Sequence, residues 1–231
     1  FRFYTVIRPL SPMSWGAWLL VGVYPATVLL GLAWLKKDEV EGLARFKPIA
    51  LLRLGRLLRW FKGLAERWEK PVLWANLVFG IGLGIYTGIL LSSLGAARPA
   101  WNSAILGPLF LTSGFSTGAA LLMLFPLAHE EHGLIRSWDM GDIVLELGML
   151  VLLLIGLAAS SQQGREAAGL FLGGPYTALF WSLVILAGLA APLAIEFIES
   201  GKKRSPTRLA PVLLLVGGLS LRWILVAAGQ A

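Results

Sequence analysis

Ionisable side chains inside long apolar segments are the residues of this sequence best placed to do chemistry. Asp142 and Glu146 lie four residues apart near the start of one apolar run, and Arg222 lies near the end of another. A charged group at membrane depth is costly, so it indicates either a function or a structural polar contact. A third run adds hydroxyl side chains: Thr112, Ser113 and Ser116. We predict that these six residues line a wet path for protons, with purely structural roles as the open alternative.

The depths of these groups argue against a direct ion pair. A rise of 1.5 Å per residue places Glu146 about 8 Å inside one membrane boundary and Arg222 about 9 Å inside the other. About 13 Å of a 30 Å core then separates them, which a few waters and hydroxyls can span. No carboxylate is expected at the depth of Arg222. Glu196 and Glu199, like Asp142, fall near a helix end, where snorkelling to the interface is the favoured interpretation.

Tyr86 is a phenol placed deeper than the aromatic belt of a membrane protein. It lies about six residues below the end of its run, where its hydroxyl must find a partner. Gly80, Gly84 and Gly88 form a ridge on the same helix that lets a neighbour approach closely, and Tyr86 points away from that ridge. This arrangement predicts a cavity beside the phenol.

Trp101 and Asn102 begin the next apolar segment, close in height to Tyr86. An asparagine at this place is typical of a helix N-cap, which is the favoured structural interpretation. The alternative is contact with the same ligand as Tyr86.

Six apolar runs place these residues on membrane-spanning helices. The chain has 231 residues, of which 57% are hydrophobic and 14% charged, a balance that soluble domains rarely reach. Each run approaches the roughly 20 residues needed to cross a bilayer. The predicted spans lie near 14–35, 72–92, 103–127, 141–159, 176–198 and 209–228. The sequence therefore predicts an all-α polytopic bundle that forms a single domain over 1–231.

The cysteine and histidine content limits the cofactors that this protein can hold. It has no cysteine, which excludes disulfides, thiolate metal sites and its own iron–sulfur cluster. His129 and His132 are three residues apart in the segment 128–140, so they do not form an HExxH zinc motif. We expect that segment to be a solvated turn. No histidine lies within a predicted span, which argues against haem, and no metal site is predicted.

The basic residues indicate the orientation in the membrane. When the loops alternate, fifteen lysines and arginines fall on one side, chiefly in 36–71 and 199–208, and four fall on the other. The positive-inside rule makes the first side cytoplasmic in a cell inner membrane. The net charge of +7 is thus explained by topology, and no nucleic-acid partner is needed.

Part of the large basic loop is amphipathic. Basic residues recur every three positions from Arg53 to Lys62, while leucine and phenylalanine occupy other faces. This predicts an interfacial helix near 49–68 that lies on the cytoplasmic leaflet, drawn by anionic head groups. Docking of a protein partner is the alternative.

Several motifs resemble the NrfD/PsrC family, the quinone-interacting membrane anchors of molybdenum and iron–sulfur oxidoreductases such as polysulfide reductase. They are SPMSWGAW, the YTG of Tyr86–Gly88, RPAWN, LFLTSGFSTGAALL and LRW. The resemblance covers nearly the whole chain and is strongest over 9–20 and 86–125. Members usually have eight helices, so the six found here imply that the first two are absent.

The resemblance implies a haem-free subunit that binds and oxidises menaquinol at Tyr86. Trp101 and Asn102 are predicted as further quinone contacts from their height near Tyr86. The resemblance also implies that electrons pass to an iron–sulfur subunit and a molybdenum catalytic subunit on the outer, periplasmic face, as in polysulfide or thiosulfate reductases. The chain itself would hold no catalytic residue for the terminal substrate. The alternative function is a membrane transporter or a proton-translocating subunit without quinone chemistry.

Overall fold

The computed structural model describes residues 8, 11–45, 55–202 and 207–231, and in these ranges all regular structure is helical. The all-α prediction is confirmed, and within the described ranges six helices are long and apolar enough to cross a membrane. Their bounds are Pro12–Trp34, Glu69–Ser93, Leu106–Met123, Glu130–Ala158, Thr177–Ser200 and Leu209–Ala228. Apolar run length therefore located all six spans, with differences at their ends.

The helices are numbered in chain order. They are α1 (Pro12–Trp34), α2 (Lys37–Arg45), α3 (Gly55–Arg67), α4 (Glu69–Ser93), α5 (Leu106–Met123), α6 (His129–Ala158), α7 (Gln162–Leu172), α8 (Thr177–Leu179), α9 (Ala191–Lys202) and α10 (Leu209–Ala228). A π-helix, Phe180–Ala190, joins α8 to α9, so that the fifth span is continuous. The chain groups into two compact units, Phe1–Leu83 and Gly84–Ala231.

In the first unit, the amphipathic helix α3 packs against the end of α1. Lys62 is buried, and its ammonium donates to the carbonyl of Leu35 at 2.6 Å and to that of Leu32 at 3.3 Å. A lysine at a helix C-terminus satisfies carbonyls that have no partner within the helix. The expectation that Lys62 faces lipid head groups is therefore wrong. The predicted start of this helix, 49–54, lies outside the described residues.

The second unit is held together by close helix crossings at glycines. A side chain at Gly88 would collide with the backbone of Leu106 and Gly107, and one at Gly217 would collide with the backbone of Gly188. Small residues at such crossings let helix backbones touch, which is how membrane helices gain packing energy in lipid. Of the predicted ridge, Gly84 also meets a neighbour, Leu111, whereas no described atom lies within 4 Å of the place where a side chain at Gly80 would begin.

Helix α6 corrects the prediction of a solvated turn over 128–140. The helix begins at His129, and the carboxylate of Glu131 accepts a hydrogen bond from the backbone N–H of Ala128 at 3.1 Å. Glu130 and Glu131 also place negative charge in the first turn, which the helix dipole favours. At 30 residues the helix is about 45 Å long, longer than the hydrocarbon core is thick.

Candidate functional site

A stripe of buried residues runs along the whole of α6 and changes character half-way. The positions recur every three or four residues, and all are at most 9% exposed. They are His132, Arg136, Asp139, Ile143, Glu146, Leu150, Leu153 and Leu157. The first half of the inward face is thus mostly polar or charged, and the second half is leucine. Since this spacing keeps one helix face towards its neighbours, the polar half must be matched by polar groups on other helices.

Near the start of this stripe Arg136 and Glu199 form a buried ion pair, in which Nε of Arg136 has no hydrogen-bond partner within the described residues. The guanidinium of Arg136 donates from Nη2 to Oε2 of Glu199 on α9 at 3.0 Å. Oε1 of Glu199 accepts from the backbone N–H of Thr207 at 3.0 Å and from its hydroxyl at 2.6 Å. Good geometry and extra donors are the conditions under which a buried ion pair is tolerated. We call this end of the unit the Thr207 end.

One helical turn further along α6, the groups are close together but incompletely bonded. Asp139 lies beside Glu196 on α9 and Ser116 on α5, near enough for electrostatic interaction. No carboxyl oxygen of Asp139 or Glu196, nor Oγ of Ser116, forms a hydrogen bond of standard geometry. Two carboxylates are both acceptors, so they can bond to each other only through a proton held by one of them.

Glu146 and Arg222 form the innermost part of the arrangement. Glu146 lies beside Ser113 and interacts electrostatically with Arg222 on α10. Nη1 of Arg222 donates to the carbonyl of Gly218 at 2.8 Å. A methyl group at Gly218 would stand 3.0 Å from that nitrogen and 3.6 Å from Oγ of Ser113. The absent side chain at Gly218 thus leaves the space in which these groups approach each other.

These contacts overturn one expectation from the sequence and agree with another. Glu196 and Glu199 are 2% and 5% exposed, so both face the protein rather than snorkelling to the interface. The depths argued against a direct ion pair of Arg222, and none is found within the described residues: its guanidinium reaches back along α10 to the carbonyl of Gly218, and Glu146 acts on it electrostatically. Depths measured along helix axes ignore this lean of side chains towards the helix N-terminus.

The result is a polar chain between four helices, in which most members are buried, Asp142 and Arg222 are half-buried and Thr207 is exposed. In order from the Thr207 end, its members are Thr207, Glu199, Arg136, Glu196, Asp139, Ser116, Asp142, Glu146, Ser113 and Arg222. Buried polar atoms without partners cost about 1–3 kcal/mol each, and bridging water is their usual complement. Carboxyls and hydroxyls joined by water form a hydrogen-bonded route along which a proton can move.

The structure brings together five of the six residues predicted for the proton path. The exception is Thr112, whose hydroxyl bonds the carbonyl of Leu109 at 3.0 Å within its own helix. Sequence reasoning missed Arg136 and Asp139 as members because the segment 128–140 was expected to be a turn. Their spacing, 136–139–142–146, was nonetheless a signal for one helix face.

Of the three predicted quinone contacts, only Tyr86 is a half-buried donor. Its ring is partly covered, and no residue that the structure describes in its own unit accepts a hydrogen bond from its hydroxyl. The hydroxyl can therefore donate a hydrogen bond to a ligand, and a quinone carbonyl is an acceptor of the kind it needs.

Trp101 and Asn102 lie at the opposite end from Thr207. The indole of Trp101 is 5% exposed, and its only N–H donates to the carbonyl of Leu225 at 2.7 Å. Asn102 is exposed and follows a short 3-10 helix, Pro99–Trp101. It is not the predicted N-cap of α5, which begins at Leu106; instead Ser103 accepts from the N–H of Ile105 at 3.2 Å.

Comparison with known proteins places the whole chain in one family. Residues 1–231 match the family described as "Polysulphide reductase, NrfD". The chain is 33% identical to the "Protein NrfD homolog" of Haemophilus influenzae, an alignment that covers 95% of the chain and 70% of that protein. It is 30% identical to the C chain of polysulfide reductase from Wolinella succinogenes, over 95% of the chain and 69% of that protein.

The chain belongs to the NrfD family. "Protein NrfD" of Escherichia coli is similarly related, at 33% identity over 95% of the chain and 70% of that protein. Six apolar helices and these relatives together establish a multi-pass membrane protein. The resemblance identified from motifs is thereby confirmed.

Proposed function

We propose that the chain is the haem-free, quinone-reactive membrane anchor of a respiratory molybdenum/iron–sulfur oxidoreductase of the polysulfide or thiosulfate reductase type. The observation that carries this proposal is the family match over all 231 residues. One relative is named as the C chain of polysulfide reductase, which makes that relative one subunit of a larger enzyme. The present chain has no cysteine to ligate a cluster, so electrons released within it must pass to a partner subunit.

Oxidation of menaquinol to menaquinone releases two electrons and two protons. Tyr86 is the residue best placed to hydrogen-bond the head group, since its phenol is half-buried and unbonded within its own unit. The indole N–H of Trp101 already donates to the carbonyl of Leu225, so Trp101 would contact the quinone through its ring alone. Asn102 would contribute its exposed amide as a hydrogen-bonding group. The polar chain from Thr207 to Arg222 supplies the proton route.

The partner subunits are proposed to dock on the periplasmic face. The basic loops then lie in the cytoplasm, as the positive-inside rule requires. In the second unit, Arg98 donates to the carbonyl of Gln230 at 3.3 Å, which joins two lightly charged segments at the end opposite Thr207. This end would receive the iron–sulfur subunit.

Photo-crosslinking with a labelled menaquinone analogue tests the location of the site. We expect adducts to concentrate within residues 86–102, and to decline by competition with unlabelled quinone. Adducts confined to 129–146 would place the head group at the Thr207 end and contradict the assignment to Tyr86.

A proton-translocating subunit or transporter without quinone chemistry is the second candidate, and the polar chain favours it. Such chains serve proton transfer whether or not a quinone is present. Co-purification distinguishes the two functions. A quinone-reactive anchor should co-purify with iron–sulfur and molybdenum subunits and with an extractable quinone. A transporter or proton-translocating subunit without quinone chemistry should co-purify with none of them.

A further inference from the structure

A groove on the outer side of the α5–α6 pair has a different character from the polar chain. It encloses about 970 Å³, at the upper end of the range for small-molecule sites. Its walls include Gly114, Phe115, Gly118, Leu122, Trp138 and Leu145. All of the residues that line it belong to the second unit.

Glycines create this groove. At Gly114, Gly118 and Gly141 no described atom lies within 4 Å of the position where a side chain would begin. The large apolar side chains that flank it, such as Phe115 and Trp138, are 50% and 74% exposed. Within the second unit these side chains are uncovered, so the groove is shaped to receive long apolar chains.

The groove also has an acidic edge. Asp139 and Asp142 line it, and they are the only ionisable side chains among its described lining residues. Asp139 is 1% exposed, and its carboxyl lies beside Glu196 and Ser116; Asp142 is half-buried and is therefore the carboxylate that an occupant of the groove can meet. Oδ2 of Asp142 is buried, so the rest of its carboxylate is the part open to the groove, and no lysine or arginine is among the described lining residues. Charge complementarity therefore favours an occupant with a cationic head.

We propose that this groove binds an aminophospholipid of the phosphatidylethanolamine class. The acyl chains lie along Gly114 and Gly118, and the primary ammonium reaches Asp142, with Asp139 behind it. An ammonium has three N–H donors and no acceptor, which matches the half-buried carboxylate of Asp142, since a carboxylate only accepts. A quaternary choline head has no N–H to donate, and a glycerol-phosphate head carries net negative charge.

The position of the carboxylates along α6 agrees with a lipid head group. The helix is about 45 Å long against a core of about 30 Å, so its first turns extend beyond the hydrocarbon. Asp139 and Asp142 therefore lie close to a membrane boundary, where head groups are found. The proposal does not require a bound quinone, although Asp139 and Asp142 also belong to the polar chain proposed as the proton route.

Native mass spectrometry after lipid exchange tests this inference. The purified protein, with whatever subunits accompany it, is equilibrated in micelles that contain equal amounts of dioleoyl phosphatidylethanolamine, phosphatidylcholine and phosphatidylglycerol. We expect one retained phosphatidylethanolamine, favoured about tenfold over each competitor, the scale of a charge-assisted hydrogen bond. Asp142→Asn should reduce that preference to about twofold or less.

Two glycine variants locate the lipid. Gly118→Leu fills the groove from within and should abolish the retained lipid. Gly169→Leu is the control, because Gly169 lies on α7, outside the groove lining, with open space where its side chain would begin. It should leave the retained lipid unchanged.

Four results would overturn the proposal. They are equal retention of the three lipids, a preference for phosphatidylglycerol, unchanged retention in Gly118→Leu, or a bound quinone in place of the lipid that Gly118→Leu removes. Asp139→Asn provides a second head-group variant, and either aspartate variant suffices if the other fails to fold.

Discussion

Glu146 is the residue on which proton movement through the second unit most directly depends. It is 2% exposed and lies between Asp142 on its own helix and Arg222 on α10. Glu146→Gln keeps the shape of the side chain and removes its ability to ionise. We predict that this variant in proteoliposomes binds quinone normally but loses proton movement coupled to quinol oxidation.

Glu166→Gln is the matched control, since Glu166 is exposed on α7. It should retain coupling. Normal coupling in Glu146→Gln with a lower melting temperature would instead make Glu146 a structural partner of Ser113 and Arg222.

The hydroxyl of Tyr86 is predicted to hydrogen-bond the quinone head group. Tyr86→Phe removes one hydroxyl and keeps the ring, so the fold should persist. Loss of a single hydrogen bond costs about 0.5–1.5 kcal/mol, which is about a 2–13-fold fall in quinol-linked turnover. Tyr24→Phe, which alters an exposed phenol on α1, should have no effect. Equal turnover in the two variants would remove Tyr86 from the site.

A substitution at Gly218 tests whether proton coupling needs the space near Arg222. A side chain at this position would collide with Thr117 and approach Nη1 of Arg222. Gly218→Val should therefore displace the guanidinium and impair proton coupling as strongly as Glu146→Gln does. Gly156→Val, on the open side of α6, serves as the control. Intact coupling in Gly218→Val would show that the position of Arg222 is not critical.

At the scale of elements, α6 is fixed to α9 by a buried ion pair. Arg136→Met leaves the carboxylate of Glu199 buried with only the donors of Thr207. Removal of one partner from a buried pair costs about 3–5 kcal/mol, so we expect a large fall in the melting temperature in detergent. The double variant Arg136→Met/Glu199→Gln should recover most of that loss, because no unpaired charge remains.

Arg165→Met is the control, because Arg165 is exposed. It measures how far the melting temperature falls when an arginine at the surface is lost. A double variant as unstable as Arg136→Met would show that Arg136 acts through packing and not through its charge.

The whole molecule is predicted to have its basic loops in the cytoplasm, and the absence of cysteine makes this directly measurable. Glu41→Cys on α2 and Gln163→Cys on α7 each introduce one thiol at an exposed position. A membrane-impermeant maleimide added to intact spheroplasts should label Gln163→Cys alone, and Glu41→Cys should react only after lysis. The reverse pattern would invert the topology and move the docking face of the partner subunits.

The sequence by itself determined the class of the molecule and the location of its spans. Lipid offers no hydrogen bonds to the backbone, so a long apolar run has to be a helix whatever surrounds it. The small residues at Gly84 and Gly88 likewise indicated close packing, which the structure contains. These properties depend on local sequence and on the solvent, and no knowledge of distant residues is needed.

Only the tertiary structure decided where the polar residues go. A helix segment such as 129–140 is polar enough to resemble a loop until Glu199 and Glu196 on another helix are seen beside it. The approach of Arg222 to Glu146 likewise depends on the direction of a long side chain and on the space at Gly218. The role of a buried polar group depends on partners that are distant in the sequence, because burying the group costs free energy unless it is paired.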